Sequence, residues 1–257
     1  MNPVHSFHAN ARRCAAALAA LLCSGWLLGC ASYTTPGAGV SIASISKADA
    51  DIGELLKAEP AASFPARMAM ARVQGSGYAS KTQQCYGHGR YCVVTARDVE
   101  SEEQFSRLGR LPQIAGLAPM SRLLLPTDLG SLKDLRVAAA ALKADLLLVY
   151  TLDTAFRVDD SGIAPLTLIT LGVLPTKKAK VSTTASAVVF DVRTGFIFGI
   201  AEATATEQQR GSLWTTPEAI DAARLAAEKS AFQKLVEELE ALWPRLVTAH
   251  AGAGKGG

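Results

Sequence analysis

Residues 144–156 read Ala-Asp-Leu-Leu-Leu-Val-Tyr-Thr-Leu-Asp-Thr-Ala-Phe. The unbroken apolar run from Leu146 to Tyr150 leaves no side of a strand free for water, so this strand has to be covered on both faces. A helix leads straight into it. Ser131 followed by Asp134 forms a capping box with Asp in place of Glu, and Leu132, Leu135, Ala138, Ala139 and Leu142 line one side of the helix that follows. A helix feeding a doubly covered strand predicts a layered mixture of α and β structure.

The rest of the chain fits such layers. Residues 67–74 read as a strand, and 90–98 as a second, with Tyr91, Val93 and Thr95 opposing Cys92 and Val94. Asp98 then caps a helix over 99–108 with Val99, Phe105 and Leu108 inward. Pro112, Pro119 and Pro126 predict irregular chain from Leu111 to Gly130. Residues 165–175 are apolar but broken by Gly172. From Lys180 to Glu207 the pattern is two strands joined at Val192 to Gly195. On the second strand Gly199, Ala201, Ala203 and Ala205 share a side, where either the 138–141 segment or the last helix can approach closely. That last helix has Thr216 as its cap, Pro217 in its first position and Glu218 against the dipole. Ile220, Ala223, Ala227, Ala231, Leu235, Leu239 and Leu242 step along one stripe, broadened by Leu225, Phe232, Val236 and Trp243. The expected class is α+β: a mixed, largely antiparallel sheet packed against helices, with a long C-terminal helix.

The amino terminus reads as an address. Arg12 and Arg13 precede a 15-residue apolar run from Cys14 to Leu28, shorter than the roughly 20 residues a bilayer span needs. It ends in Leu27-Leu28-Gly29-Cys30, which resembles the bacterial lipoprotein signal. The resemblance implies diacylglyceryl transfer to the Cys30 sulfur, cleavage after Gly29 and acylation of the new amino terminus. Cys23 follows the bulky Leu22 where a small residue is wanted, so Cys30 is the expected lipidation site. Ala31 rather than Asp at the next position implies outer-membrane sorting. The division that follows is a signal peptide (1–29), lipidated Cys30 and a small-residue tether (30–60), a single periplasmic domain (61–246), and a disordered tail (247–257) whose Gly-Ala-Gly-Lys lacks the context of a phosphate loop.

The chain carries 26 basic and 23 acidic side chains. Residues 1–29 hold two of the basic ones and no acid, so the mature form is nearly neutral, without the basic footprint of a nucleic-acid binder. Only His88 and His250 lie beyond residue 29, which lowers the expectation of triads and metal sites. Gly-x-Ser-x-Gly and His-Glu-x-x-His are absent, and Asp159-Asp160 before Ser161-Gly162 reads as a turn. No motif calls for a cofactor, and no catalytic residue is assigned.

Cys85 and Cys92 in Cys-Tyr-Gly-His-Gly-Arg-Tyr-Cys read first as a disulfide in an oxidising periplasm. Free thiols and a three-ligand Cys-x-x-His-x-x-x-Cys metal site are the alternatives. A turn at His88-Gly89 would pair Tyr86 with Tyr91.

Three segments resemble, in order, a group of periplasmic α/β modules. Gly89 to Gln104 matches their strand leading into an acidic residue and a Glu-Gln helix, Leu142 to Asp153 their Ala-Asp plus apolar strand, and Asp191 to Gly199 their Asp-x-x-Thr-Gly hairpin. The group includes the curli secretion lipoprotein CsgG, the amino-terminal domain of TolB and the lipoprotein LpoB. Unlike them, this sequence shows no helix between its first two strands, over Gly75 to Gly89. Within the hairpin Asp191 is expected to accept turn amides and Gly195 to take a left-handed conformation, while Arg97 and Asp98 pair at the sheet edge. The resemblance implies a non-catalytic module that binds an envelope protein or itself. A subunit of an oligomeric secretion channel is the alternative, and a cell-envelope hydrolase is a third reading.

Overall fold

A computed structural model describes residues 39–42, 52–80, 85–160, 177–210 and 217–251. Cys30 and Thr216 lie outside these residues, as does the segment 165–175. In chain order the elements are α1 (Ile52–Lys57), β1 (Ala66–Gly75), β2 (His88–Gly89), β3 (Tyr91–Val94), α2 (Glu102–Gly109), β4 (Ile114–Pro119), a 3-10 turn (Arg122–Leu124), β5 (Asp128–Leu129), α3 (Leu132–Ala141), β6 (Leu146–Asp160), β7 (Lys177–Asp191), β8 (Ile197–Arg210) and α4 (Pro217–His250).

Six strands form one sheet in the order β3-β1-β6-β7-β8, with β4 also on β1. Strand β1 runs parallel to β6 and β4 and antiparallel to β3, and β6, β7 and β8 form an antiparallel meander. The expected α+β class, with its mixed sheet and long C-terminal helix, is what the chain adopts. The apolar run of β6 is central and covered twice, because period-two alternation sends its side chains into two cores. Leu146, Leu148, Tyr150 and Leu152 join Ala231, Phe232, Leu235, Val236, Leu239 and Trp243 of α4. Leu147 and Val149 join Leu132, Leu135, Ala138 and Ala139 of α3. The capping box of α3 is in place: the Asp134 carboxylate accepts the Ser131 amide at 2.8 Å and the Gly130 amide at 3.0 Å.

It is α4 that uses the small face of β8. A methyl group on Gly199 would sit 3.0 Å from Leu242 Cδ2. The helix runs through His250, four residues into the stretch read as tail, with Val247 packed on the core and the His250 ring edge-on to Phe196 and Phe198 at 5.6 and 5.1 Å.

Four local expectations are corrected. Residues 111–130 are not wholly irregular: β4 pairs with β1 from Ala66 to Met70 and β5 pairs with β2. The prolines signalled element ends; Pro119 closes β4, an edge strand that tolerates a missing amide. Strand β3 ends at Val94, and Ser101 rather than Asp98 caps the next helix, its hydroxyl accepting the Gln104 amide while Gln104 accepts the Ser101 amide at 2.7 Å. Arg97 and Asp98 do not pair; Arg97 reaches Glu102 at 2.8 Å and stacks on Phe105, and Asp98 turns inward. Tyr86 faces Val93, not Tyr91, because His88 and Gly89 run as a strand beside β5 instead of making a two-residue turn.

Candidate functional site

Inside the face of the sheet toward α4, a row of apolar side chains is interrupted. Met68, Met70 and Arg72 project from β1 at spacing two, so Arg72 enters the core where a hydrophobic residue would stand. It is 2 % exposed, and from α4 it meets Glu228, at 1 %, which in turn holds Arg224, at 0 %. Charges so deep persist only when they are paired. Arg72 donates through Nη1 to Asp98 at 3.0 Å, and through Nη2 to Tyr78 at 3.1 Å and to Glu228 at 3.3 Å. Glu228 also accepts from Arg224 Nη1 at 2.5 Å and from the Thr154 hydroxyl at 3.2 Å, and Thr154 meets Thr183 at 2.9 Å. Arg224 Nε donates to Asp221 at 3.0 Å. The Tyr150 hydroxyl donates to Glu100, whose same oxygen lies 3.8 Å from Arg72.

The titrations follow from this crowding. Burial penalises the Arg72 charge most, yet Tyr78, Glu100, Glu228 and Tyr150 together overcome it and hold the guanidinium above its ordinary range. Burial likewise works against Arg224, and Glu228 with Asp221 overrides it. Burial pushes the Tyr150 phenol well up, and Glu100 pushes further. Tyr78 is raised by burial, with Arg72 pulling the other way. The cluster therefore keeps two fixed cations and two neutral phenols at any physiological pH.

The network is joined to the expected cysteine pair. Cys85 and Cys92 form a disulfide, with Cα atoms 5.6 Å apart and a dihedral of 100°. Both pack with Val94 against Tyr78, the phenol that accepts from Arg72. The bridge thus holds one wall of the buried site. The metal alternative for these cysteines has no place beside it, and among the described residues no group of three or more His, Cys, Asp or Glu side chains is arranged to hold an ion.

Beside Arg72 a notch opens between the ends of β3 and β4, both of which pair with β1. Arg72, Glu100, Arg97, Phe105, Met120 and Tyr150 line it. It admits water-sized spheres over about 20 Å³, against the roughly 10–15 Å³ one water requires, so it suits water rather than an organic substrate. Two of its lining residues carry buried atoms without a hydrogen-bond partner among the described residues, Arg72 at Nε and Glu100 at Oε2.

The hairpin site behaves as its residues suggest. Asp191 Oδ1 accepts the amides of Arg193 and Thr194 at 2.7 and 3.0 Å, and Gly195 has φ +76°. Asp191 Oδ2 does more than was legible: it accepts the amides of Ala61 and Ala62, each at 2.7 Å, which fixes the entry of the chain into β1.

Among the described residues, the opposite face of the sheet is open beyond α3. In register across β6, β7 and β8 stand Ala155, Ser182 and Thr206, then Asp153, Thr184 and Thr204, then Thr151, Ser186 and Glu202. Thr184 bonds Thr204 at 3.0 Å, Ser182 bonds Thr206 at 3.2 Å, and Ser186 donates to Glu202 at 2.9 Å. Residues 39–42 lie at the border of this face. Val40 is buried and its amide donates to Thr151 Oγ1 at 3.2 Å, Ile42 packs on the same core, and Gly39 stands against Thr151 and Asp153.

No protein-family model and none of the curated proteins matches the chain. Among solved structures it is similar to a minor lipoprotein from Acinetobacter baumannii, at 11 % identity over 70 % of this chain and 93 % of that one, with a TM-score of 0.34. A protein from Xanthomonas campestris overlaps at 13 % identity over 86 % and 99 % of the two chains, with a TM-score of 0.33. One from Chlamydia trachomatis does so at 14 % identity over 69 % and 96 %, with a TM-score of 0.29. Overlaps this loose establish neither a common fold nor a shared role.

Proposed function

We propose that this chain is a lipoprotein of the bacterial outer membrane, anchored by acyl chains on Cys30, whose periplasmic body is a non-catalytic module that binds envelope proteins. The observation that carries the reading is Leu27-Leu28-Gly29-Cys30 closing an apolar run too short to span a bilayer. Each buried methylene contributes about 0.8 kcal/mol and one chain anchors only marginally, so several chains on one residue hold the body at the membrane. Among the described residues no helix is long and apolar enough to cross a membrane, which fits an anchored body and says nothing of strands.

The buried ion network supports a structural rather than a chemical role. Each of its charged side chains is paired with an opposite charge or a hydroxyl, and the notch beside it has room for a water. Strands β7 and β8, at 15 and 14 residues, exceed the roughly 9–11 residues of a membrane-crossing strand. Their open face carries Ser182, Thr184, Ser186, Glu202, Thr204 and Thr206, however, where a lipid-facing strand needs an apolar band. That weighs against the channel reading.

The test is metabolic labelling with palmitate and membrane fractionation of the natural chain and of Cys30→Ser. Label and outer-membrane sedimentation lost together in the variant support the anchor; an unlabelled natural chain refutes it. Crosslinking in intact cells then asks for the partner, and repeated recovery of none counts against a binding module.

A further inference from the structure

Val40 divides the chain between Cys30 and the domain into two lengths with different consequences. A tether running freely from Cys30 to Ala61, where the Asp191 carboxylate takes hold, would have 31 residues. At about 3.3–3.6 Å per residue it would reach roughly 100–110 Å. The structure shows an earlier point of attachment. Val40 is buried against the core under α3, its amide is hydrogen-bonded to the Thr151 hydroxyl, and Ile42 packs beside it. Gly39 lies so close to β6 that a methyl group there would stand 3.0 Å from Thr151 Oγ1 and 3.3 Å from Asp153 Cβ, so glycine is what lets the chain hug the strand.

We infer that residues 39–42 are a strap that ends the leash, and that the point where the chain joins the domain is held within about 30–32 Å of its lipid anchor. This rests on lipidation at Cys30. Gly39 is nine residue steps from Cys30, and no conformation of the chain between them can exceed that contour. The leash leaves the domain at Gly39, beside Thr151 and Asp153 of β6.

Two insertions separate the strap from a free tether without touching either fixed point. Twelve Gly-Ser residues are placed after Thr35, upstream of the strap, or after Ser44, between the strap and α1. The lipidated full-length chain in nanodiscs carries a fluorophore on Val137→Cys, an exposed position of α3, and energy transfer to a headgroup dye reads the separation. The upstream insertion is expected to lower transfer, while the downstream insertion leaves it unchanged. Equal loss from both insertions, or no loss from either, overturns the inference while leaving the anchor intact. Val40→Asp gives a second reading and is expected to lower transfer with sedimentation unchanged; unchanged transfer in a folded variant also overturns it. Absence of palmitate on the natural chain removes the leash and the anchor together, and the labelling assay detects that separately.

Discussion

Glu228 is the residue on which the buried network turns, since it faces two guanidiniums at 2.5 and 3.3 Å and a hydroxyl at 3.2 Å. Replacing it by Gln keeps the shape and one acceptor oxygen but removes the negative charge. Arg72 retains Asp98 and Glu100, and Arg224 retains Asp221. Breaking a fully buried pair by removing one charge costs about 3–5 kcal/mol, because the other charge stays desolvated. For a body of this size each kcal/mol lowers Tm by about 2–4 °C, so Glu228→Gln is expected to melt roughly 6–20 °C early. Arg224→Met alone also destabilises, yet added to Glu228→Gln it removes a cation that has already lost one of its two carboxylates, so the double variant is expected to lose less than the sum of the two single losses. The assay is thermal and urea unfolding of the oxidised protein, read by circular dichroism at low and high salt. Burial predicts that the difference survives high salt. A loss below 1 kcal/mol, or additive effects in the double variant, would refute the reasoning that these charges depend on one another.

The other expectations are simpler. Replacing Cys85 and Cys92 by Ala removes a short closed loop, worth about 2.5 kcal/mol by its chain entropy, and denaturant titration should show that loss. Gly199→Val drives a branched side chain into Leu242 of α4, and overpacking of this kind costs about 1–3 kcal/mol; an unchanged midpoint would show that the helix yields. The Arg107 side chain, hydrogen-bonded across from α2 to α4, holds the Glu240 carboxyl below its ordinary range. Stability from that pair is present above the unfolded carboxylate pKa of about 4.3 and lost as pH falls through the lower folded value. The pair is a third exposed, so Arg107→Met should remove under 1 kcal/mol at neutral pH and none in strong acid. Tyr150 has the opposite sign: its raised phenol contributes stability that is complete below about pH 10 and declines as pH rises toward the folded value. Alkaline unfolding should therefore shift in Tyr150→Phe.

Periodicity carried the large elements because burial on both faces leaves a sequence few options. The apolar run of β6, the capping box of α3 and the stripe of α4 each specified an element and its buried side. Short elements carried less. Strand β4 is six residues with a glycine in the middle and a proline at the end, and its pairing with β1 is a long-range event that local propensity does not register. The ion network was missed for a different reason. Charged residues in an amphipathic helix read as solvent-facing, yet Arg224 and Glu228 step by four onto Phe232 and Val236, which are buried. Arg72 shares parity with Met68 and Met70. Both signals were present, and a charge on an apolar row at two elements is the pattern that would have found the pair.

One flank of the sheet is built from β3 and β4, which lie end to end along β1 and run in opposite directions. An incoming straight strand can match only one of them, four residues in one case and six in the other. On the far flank Lys234 reaches from α4 to occupy the Thr204 carbonyl at 3.1 Å. A long unguarded border would seed edge-to-edge pairing between copies. Among the described residues, mismatched polarity breaks the template on one border, and on the other an ammonium group occupies a carbonyl in the middle of β8.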